Sequence, residues 1–304
     1  MTQASFLPYC SLSTKYYPYM TLKNTVVSLS QTLLPHHALS VLVSKFTHSR
    51  HVAWKNFLIR QIISQYGVNM AESLVQDIAQ FESFNDFFTR QLQPHIRPLT
   101  TAIGAIASPA DGVVSQAGTI CQGDIFQAKG KSFTAAQLLG DTQRAEKFHD
   151  GHFATIYLSP KDYHRLHMPM TGTLREMVHI PGRLFSVNTA TTEAVSALFA
   201  RNERVVAIFD TEVGQMALVL VGAIFVSSIE TVWHGVVTPP TIKSARTWHY
   251  ENTPPTLQKG EEMGRFNMGS TIIVLFEKDK MAWNTDFAAG GAVRVGEKIG
   301  QIAF

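Results

Sequence analysis

Cysteine is nearly missing from this sequence: Cys10 and Cys121 are the only two among 304 residues. Neither sits in a CxxC or Cys/His spacing, which excludes a disulfide framework and a cysteine-based zinc site and makes a reducing compartment the simpler setting. Long apolar runs are missing too. No stretch reaches the roughly 18 uninterrupted apolar residues of a spanning helix. The most apolar run, Met216 to Val226, is about strand length and contains Gly222, so it reads as buried sheet. Charge is sparse, 16% of residues against 45% hydrophobic. That balance excludes a disordered chain and fits a globular protein with a somewhat greasy surface, long enough to bury a sizeable core. There is no internal repeat and no low-complexity tract.

Acidic residues are absent from one whole region. Residues 1–71 carry Lys15, Lys23, Lys45, Arg50, Lys55 and Arg60 and no Asp or Glu, so the other residues hold 20 of the 26 basic and all 23 acidic residues, a net −3 within an overall +3. A basic leading segment beside a mildly acidic body points to an anionic partner, and charge alone leaves nucleic acid and anionic lipid both open. At about 1 kcal/mol per basic residue near an anionic leaflet, six such residues give at most ~6 kcal/mol, which suits reversible peripheral binding.

Residues 1–20 are rich in Ser, Thr, Tyr and Pro without a clear period and read as a disordered leader, with either Met1 or Met20 as the start. Residues 21–98 read as a helical region. Leu22, Val26, Leu29 and Leu33 follow helical spacing up to Pro35; Leu39, Leu42, Val43 and Phe46 form a second set; Trp54, Phe57, Leu58, Ile62 and Tyr66 form a third. Basic residues on one side and Trp or Phe on the other suit an interfacial membrane anchor, while ordinary core packing explains the same pattern. FESFNDFFTRQL (Phe81 to Leu92) reads as one more helix, ended by Pro94. From residue 99 to 304 short runs such as Phe153 to Leu158, Val205 to Phe209 and Thr271 to Phe276 alternate with Gly, Pro and Asp-Gly turns. The expected fold class is therefore α+β: a helical N-terminal segment, then a mainly antiparallel β body with one helix around Thr191 to Arg201.

Three stretches could carry chemistry. In SPADG, Asp111 precedes Gly112, where an Asp commonly just makes a turn. In YLSPKDYHRLHMP, His164 and His167 are three apart and could share a helical face as a base, a metal pair or two satisfied polar groups; no third ligand follows from the spacing, so no metal is expected. In GRFNMGST, the pair Gly269–Ser270 enters an apolar strand. A strand-entry turn explains it, but a glycine carbonyl is open to close approach, and Ser270 could attack it if a base took its proton.

PADG, YLSPKDYHRLHMP, FSVN, VGAIFVSSIETVW and KGEEMGRFNMGST stand in this order at sensible spacing, and with the FNDFFTR segment they closely resemble the phosphatidylserine decarboxylases of the bacterial and mitochondrial type. The resemblance runs from about residue 22 to the C-terminus. Met268 stands where that family most often has Leu, a change of little volume or polarity.

The resemblance implies a charge relay of Asp111, His167 and Ser270, in which the chain cuts itself between Gly269 and Ser270 by the logic of a serine protease. Ser270 becomes a covalent pyruvoyl group, the cofactor, and the products are residues 1–269 and a small chain of residues 270–304 that stays as a partner. It further implies decarboxylation of phosphatidylserine to phosphatidylethanolamine through a Schiff base with that pyruvate-derived group. His164 is the expected acid that returns a proton to the product carbon, with His167 as competitor. Ser186 and Asn188 in FSVN are candidate substrate-binding residues. Partners are then an anionic lipid surface rather than nucleic acid, and a second copy in a homodimer. The expected location is the cytoplasmic face of a bacterial inner membrane, with the mitochondrial inner membrane as alternative, because Arg is sparse before residue 50. A pyruvoyl enzyme for a soluble amino acid and an inert lipid-binding protein are the competing readings.

Overall fold

In a computed structural model the chain is described over residues 36–224, 228–238 and 244–303. The expected leader at 1–20, the helix expected from Leu22 to Leu33 and the middle of VGAIFVSSIETVW lie outside these residues. The body is built on a nine-stranded antiparallel sheet. At its centre Thr271–Phe276 pairs with Gly214–Val221 on one side and His152–Tyr157 on the other. Arg204–Thr211 and Gly172–Ile180 continue the first side, and Gly112–Thr119 the second.

The central strand is buried at every residue, so no polar alternation marks it in the sequence. The period of two instead sends alternate side chains into two different cores. Ile272, Val274 and Phe276 join Leu218, Leu220, Val205 and Ala207 on one face, covered by two smaller sheets that supply Leu166, Met263, Phe266, Met281 and Ile299. Ile273 and Leu275 join Val219, Val221, Val206 and Ile208 on the other, covered by short helices and a hairpin that bring Leu138, Leu139, Leu198, Phe199 and Phe133. With roughly 1.5–3 kcal/mol for each large apolar side chain fully buried, a sheet covered on both faces is the stable centre of the molecule.

The helical segment forms a third, smaller core. His36–Thr47 and Val52–Tyr66 are helices, as the spacing of the second and third apolar sets predicts. Ile59 packs with Val68, Phe81, Phe84, Phe87 and Phe88, while Phe46, Trp54 and Phe57 stay exposed, Trp54 stacking on Phe57 and meeting Phe46 at a tilt. One helix thus serves core packing and also presents an aromatic outer face. Lys55 does not join the basic polar face expected of it: it is buried, and its ammonium donates to Asn56 Oδ1 and the carbonyls of Ile78 and Ala79.

Two expected helices are shorter than their patterns. The one over Phe81 to Leu92 is confined to Phe84–Phe88. Ser83 Oγ caps its start by accepting from Asp86 N, and the Thr89 hydroxyl takes the Asn85 carbonyl, competing with the next helical turn. The helix expected from Thr191 to Arg201 is split into Thr189–Ala194 and Leu198–Arg201. Buried Gln127 causes the break: its amide donates to the Thr192 and Val195 carbonyls and accepts from Leu198 N, taking up backbone groups a continuous helix would pair internally.

Candidate active site

The GRFNMGST turn is stretched between two sheets. Phe266 N donates to His164 O and Asn267 N to Ser228 O, while Leu158 N donates to Ser270 O at 2.9 Å. Between these anchors Met268 has φ +110°, a backbone conformation rare for a residue with a side chain and worth about 1–3 kcal/mol of strain. Its side chain packs against the Phe84, Phe87 and Phe88 cluster. The strain therefore lies directly beside Gly269. A Cβ built on Gly269 would stand 3.2 Å from His164 Nε2 and 3.2 Å from the Leu158 carbonyl oxygen, so only glycine lets the imidazole and the backbone come this close without displacement. Ser270 is fully buried and its Oγ has no hydrogen-bond partner. Buried hydroxyls are almost always paired, and here the hydroxyls of Ser270 and of Thr271 beside it are both left without a partner, two and three residues after the strained Met268.

His164 completes this group. The spacing of His164 and His167 suggested a shared helical face, but Arg165–His167 is a strand paired with Glu262–Phe266, and the two rings go to different surroundings. The His164 ring lies 4.1 Å from that of Phe88. Its Nδ1 is 2.8 Å from the Asp162 carbonyl, which can only accept, so Nδ1 carries the hydrogen. Nε2 is then the lone-pair nitrogen; it is buried, has no partner, and is the atom beside Gly269. Burial, followed by the charge of Arg90, pushes the His164 pKa down to about 3, and the ring is neutral at neutral pH.

His167 follows the same logic in a different place. Nδ1 donates to the Gly260 carbonyl at 2.8 Å and Nε2 is 3.3 Å from the Tyr163 hydroxyl, which donates to it. Burial lowers its pKa, opposed by the Gly260 bond and by the charges of Glu262 and Asp111. The PADG turn is tied to it through the backbone, His167 N donating to Pro109 O at 2.9 Å. Asp111 itself is held by Arg97, whose Nε lies 2.9 and 3.0 Å from the two carboxylate oxygens, and by Val295 N at 2.8 Å. Arg97 also donates to Glu72 at 2.7 Å.

The structure thus brings Gly269, Ser270 and His164 together, and ties His167 to the PADG turn through Pro109. Among the described residues no hydrogen bond joins Asp111 to His167 or His167 to Ser270. Asn188 caps the helix Thr189–Ala194, accepting from Thr191 N at 2.9 Å, and its own N–H lies 3.5 Å from Ser186 Oγ. Val187 between them lines a cavity of about 280 Å³ with Tyr157, Thr192 and Glu193. Sequence reasoning passed over Phe88, Arg90, Arg97 and Tyr163. FFTR holds the first two in a motif read only as a helix, Tyr163 stands in YLSPKDYHRLHMP beside the histidines that drew the attention, and nothing local marks Arg97.

A family model described as Phosphatidylserine decarboxylase matches residues 84–301, and one described as PSD matches residues 27–67. The chain is 55% identical over 282 residues to the phosphatidylserine decarboxylase proenzyme of Pseudomonas fluorescens, covering 92% of this chain and 98% of that relative. It is 54% identical over 283 residues to the proenzyme of Ectopseudomonas mendocina, covering 92% and 99%. With the proenzyme of Azotobacter vinelandii it shares 52% identity over 284 residues, again covering 92% and 99%.

Proposed function

The chain belongs to the phosphatidylserine decarboxylase family, and from this we propose that it is a proenzyme that cuts itself between Gly269 and Ser270 and then converts phosphatidylserine to phosphatidylethanolamine. The observation that carries the proposal is the buried, unpartnered Ser270 Oγ next to Gly269, with the lone-pair nitrogen of His164 against that glycine and a strained Met268 before it.

In self-cleavage Ser270 Oγ adds to the Gly269 carbonyl carbon and the amide becomes an ester. Loss of the Ser270 α-proton expels the Gly269 carboxylate and leaves a dehydroalanine, which hydrolyses to a pyruvoyl group with release of ammonia. We assign the base to His167, with Asp111 stabilising the resulting imidazolium, as in a serine protease. For this the Tyr163 hydroxyl must leave His167 Nε2, and catalytic hydrogen bonds are often loose before the reacting state forms. The closed, solvent-free setting of residue 270 fits the group that would form there: when present it supplies the electron sink that a departing carboxylate requires and that unmodified side chains lack.

His164 is assigned to turnover. Its Nε2 is beside the backbone from which the reactive end is made, the position from which a proton can be returned to the product carbon. Such help is worth roughly 10²- to 10⁴-fold, or about 3 to 5 kcal/mol of barrier.

A phospholipid substrate calls for a bilayer surface. No helix among the described residues is long and apolar enough to cross a membrane. Exposed Phe46, Val52, Trp54 and Phe57, with exposed Lys45 and Arg60 on the same two helices, support a peripheral attachment to anionic lipid. The curated relatives are bacterial, and we place the protein on the cytoplasmic face of the inner membrane as a homodimer. Intact mass under denaturing conditions tests the central claim. Two species, residues 1–269 and a 35-residue chain (270–304) starting with the mass of pyruvoyl, are expected. A folded chain that stays whole with Ser270 intact overturns it.

A further inference from the structure

Two arginines in this molecule are deeply buried without a carboxylate beside them, and the fold treats them differently. Arg204 is satisfied: Nε, Nη1 and Nη2 donate to the carbonyls of Leu138, Asn202 and Gln137 at 2.6, 2.8 and 2.6 Å. Arg90 is not. It is 5% exposed, and its Nη2 donates to Lys161 O at 3.0 Å, but Nε and Nη1 have no partner. Its guanidinium lies 5.2 Å from the Phe87 ring centre, which offers a weak electrostatic contact only. Every Asp and Glu of the chain is among the described residues, and none is ion-paired with it; Asp111, Glu72 and Asp162 act on it from a distance. A buried charge whose donors are left unpaired is costly, and an anion arriving from outside would remove that cost.

The place of Arg90 says which reaction the anion belongs to. Lys161, which it holds, opens the turn whose Asp162 carbonyl holds the ring of His164, and its charge is felt at that ring. A cavity of about 180 Å³ lies near this turn, lined by Tyr163 and His167 but not by Arg90 itself. We propose that Arg90 binds the phosphodiester of the lipid head group through one of its free guanidinium N–H groups. This rests on the phosphatidylserine decarboxylase reading above. The substrate carries two anions, and the carboxylate is the weaker candidate. Its charge is lost as carbon dioxide leaves, so a guanidinium paired with it would stabilise the ground state more than the transition state. The phosphodiester keeps its charge throughout, and its anionic oxygens suit a guanidinium N–H donor. Once neutralised by it, Arg90 no longer opposes a positive charge on His164, which must hold a proton to return one.

Calorimetric titration of the self-cleaved protein and of its Arg90→Met and Arg90→Lys variants tests this with two probes that share an amine. Glycerophosphoethanolamine has the phosphodiester and no carboxylate; serine has the carboxylate and no phosphate. Losing a charge-assisted hydrogen bond is expected to weaken glycerophosphoethanolamine roughly 10- to 100-fold while leaving serine within about twofold. If serine alone weakens, the anion is the carboxylate and the proposal is wrong. If neither weakens, Arg90 serves another anion, such as the new Gly269 carboxylate, and the proposal is equally wrong. A folded Arg90→Met chain that fails to cut itself assigns the guanidinium to self-cleavage instead; one that fails to fold leaves Arg90→Lys to decide by the same criterion. Wild-type protein that makes no phosphatidylethanolamine sinks the underlying reading, an outcome separate from any of these.

Discussion

Replacing His164 with alanine separates the two halves of the proposed chemistry. The ring is fully buried, stacks on Phe88 and donates one hydrogen bond to the Asp162 carbonyl. Removing it leaves that carbonyl unpaired, about 1–3 kcal/mol, plus a small cavity. A domain with the usual 5–15 kcal/mol of stability survives such a loss. The reactive atoms of self-cleavage, Ser270 Oγ and the Gly269 carbonyl, are untouched, and the base assigned to that step is His167. His164→Ala is therefore expected to appear as two chains by intact mass, with residues 270–304 carrying the pyruvoyl mass. Its formation of phosphatidylethanolamine from phosphatidylserine vesicles should fall by roughly 10²- to 10⁴-fold. His167→Ala should give the converse, a folded but uncut chain. An uncut His164→Ala protein would make Nε2 of His164 the base for Ser270, since that atom already lies against Gly269, and the division of labour would be reversed. A cut and fully active protein would remove His164 from the reaction.

The low pKa of His164 also predicts a pH dependence in the uncut Ser270→Ala protein. The unfolded ring binds a proton below about pH 6.5 and the folded ring only below about 3, so the unfolded state holds more protons between these values and stability falls as pH drops. Between pH 6.5 and 4 the loss should be about 3 kcal/mol, read as a fall in the urea midpoint that a His164→Asn background lacks; equal slopes in both would refute it. Arg97→Met strips Asp111 and Glu72 of their shared buried partner, and a loss of about 3–5 kcal/mol in chemical denaturation is expected, with a change below 1 kcal/mol counting against the pairing. Trp54→Asp with Phe57→Asp should release the protein from phosphatidylserine-containing liposomes in co-sedimentation while self-cleavage continues; unchanged sedimentation would move the membrane face elsewhere.

What could be read in the sequence was what depends on neighbours in the chain. The runs at Phe153, Val205 and Thr271 are strands because β-branched and apolar residues cluster there, and the second and third apolar sets of the leading region are helices because their period is 3.6. The residues proposed to react were legible for another reason: several long motifs in fixed order single out Gly269, Ser270 and the two histidines as a set. The surroundings of each group were not legible, because they come from far along the chain. Gln127 breaks a helix some 65 residues away, and only the folded sheet brings it there. Asp111 finds Arg97 in a loop the sequence marks only as Pro-rich. Spacing alone could not tell a helix, which would align His164 and His167, from the strand that parts them. Nor could it show that the bare Nε2 of His164 lies against Gly269. The consequence is chemical: two histidines of the same tautomer, one free and one occupied by Tyr163, can hold different roles three residues apart, because each ring is oriented by a different carbonyl.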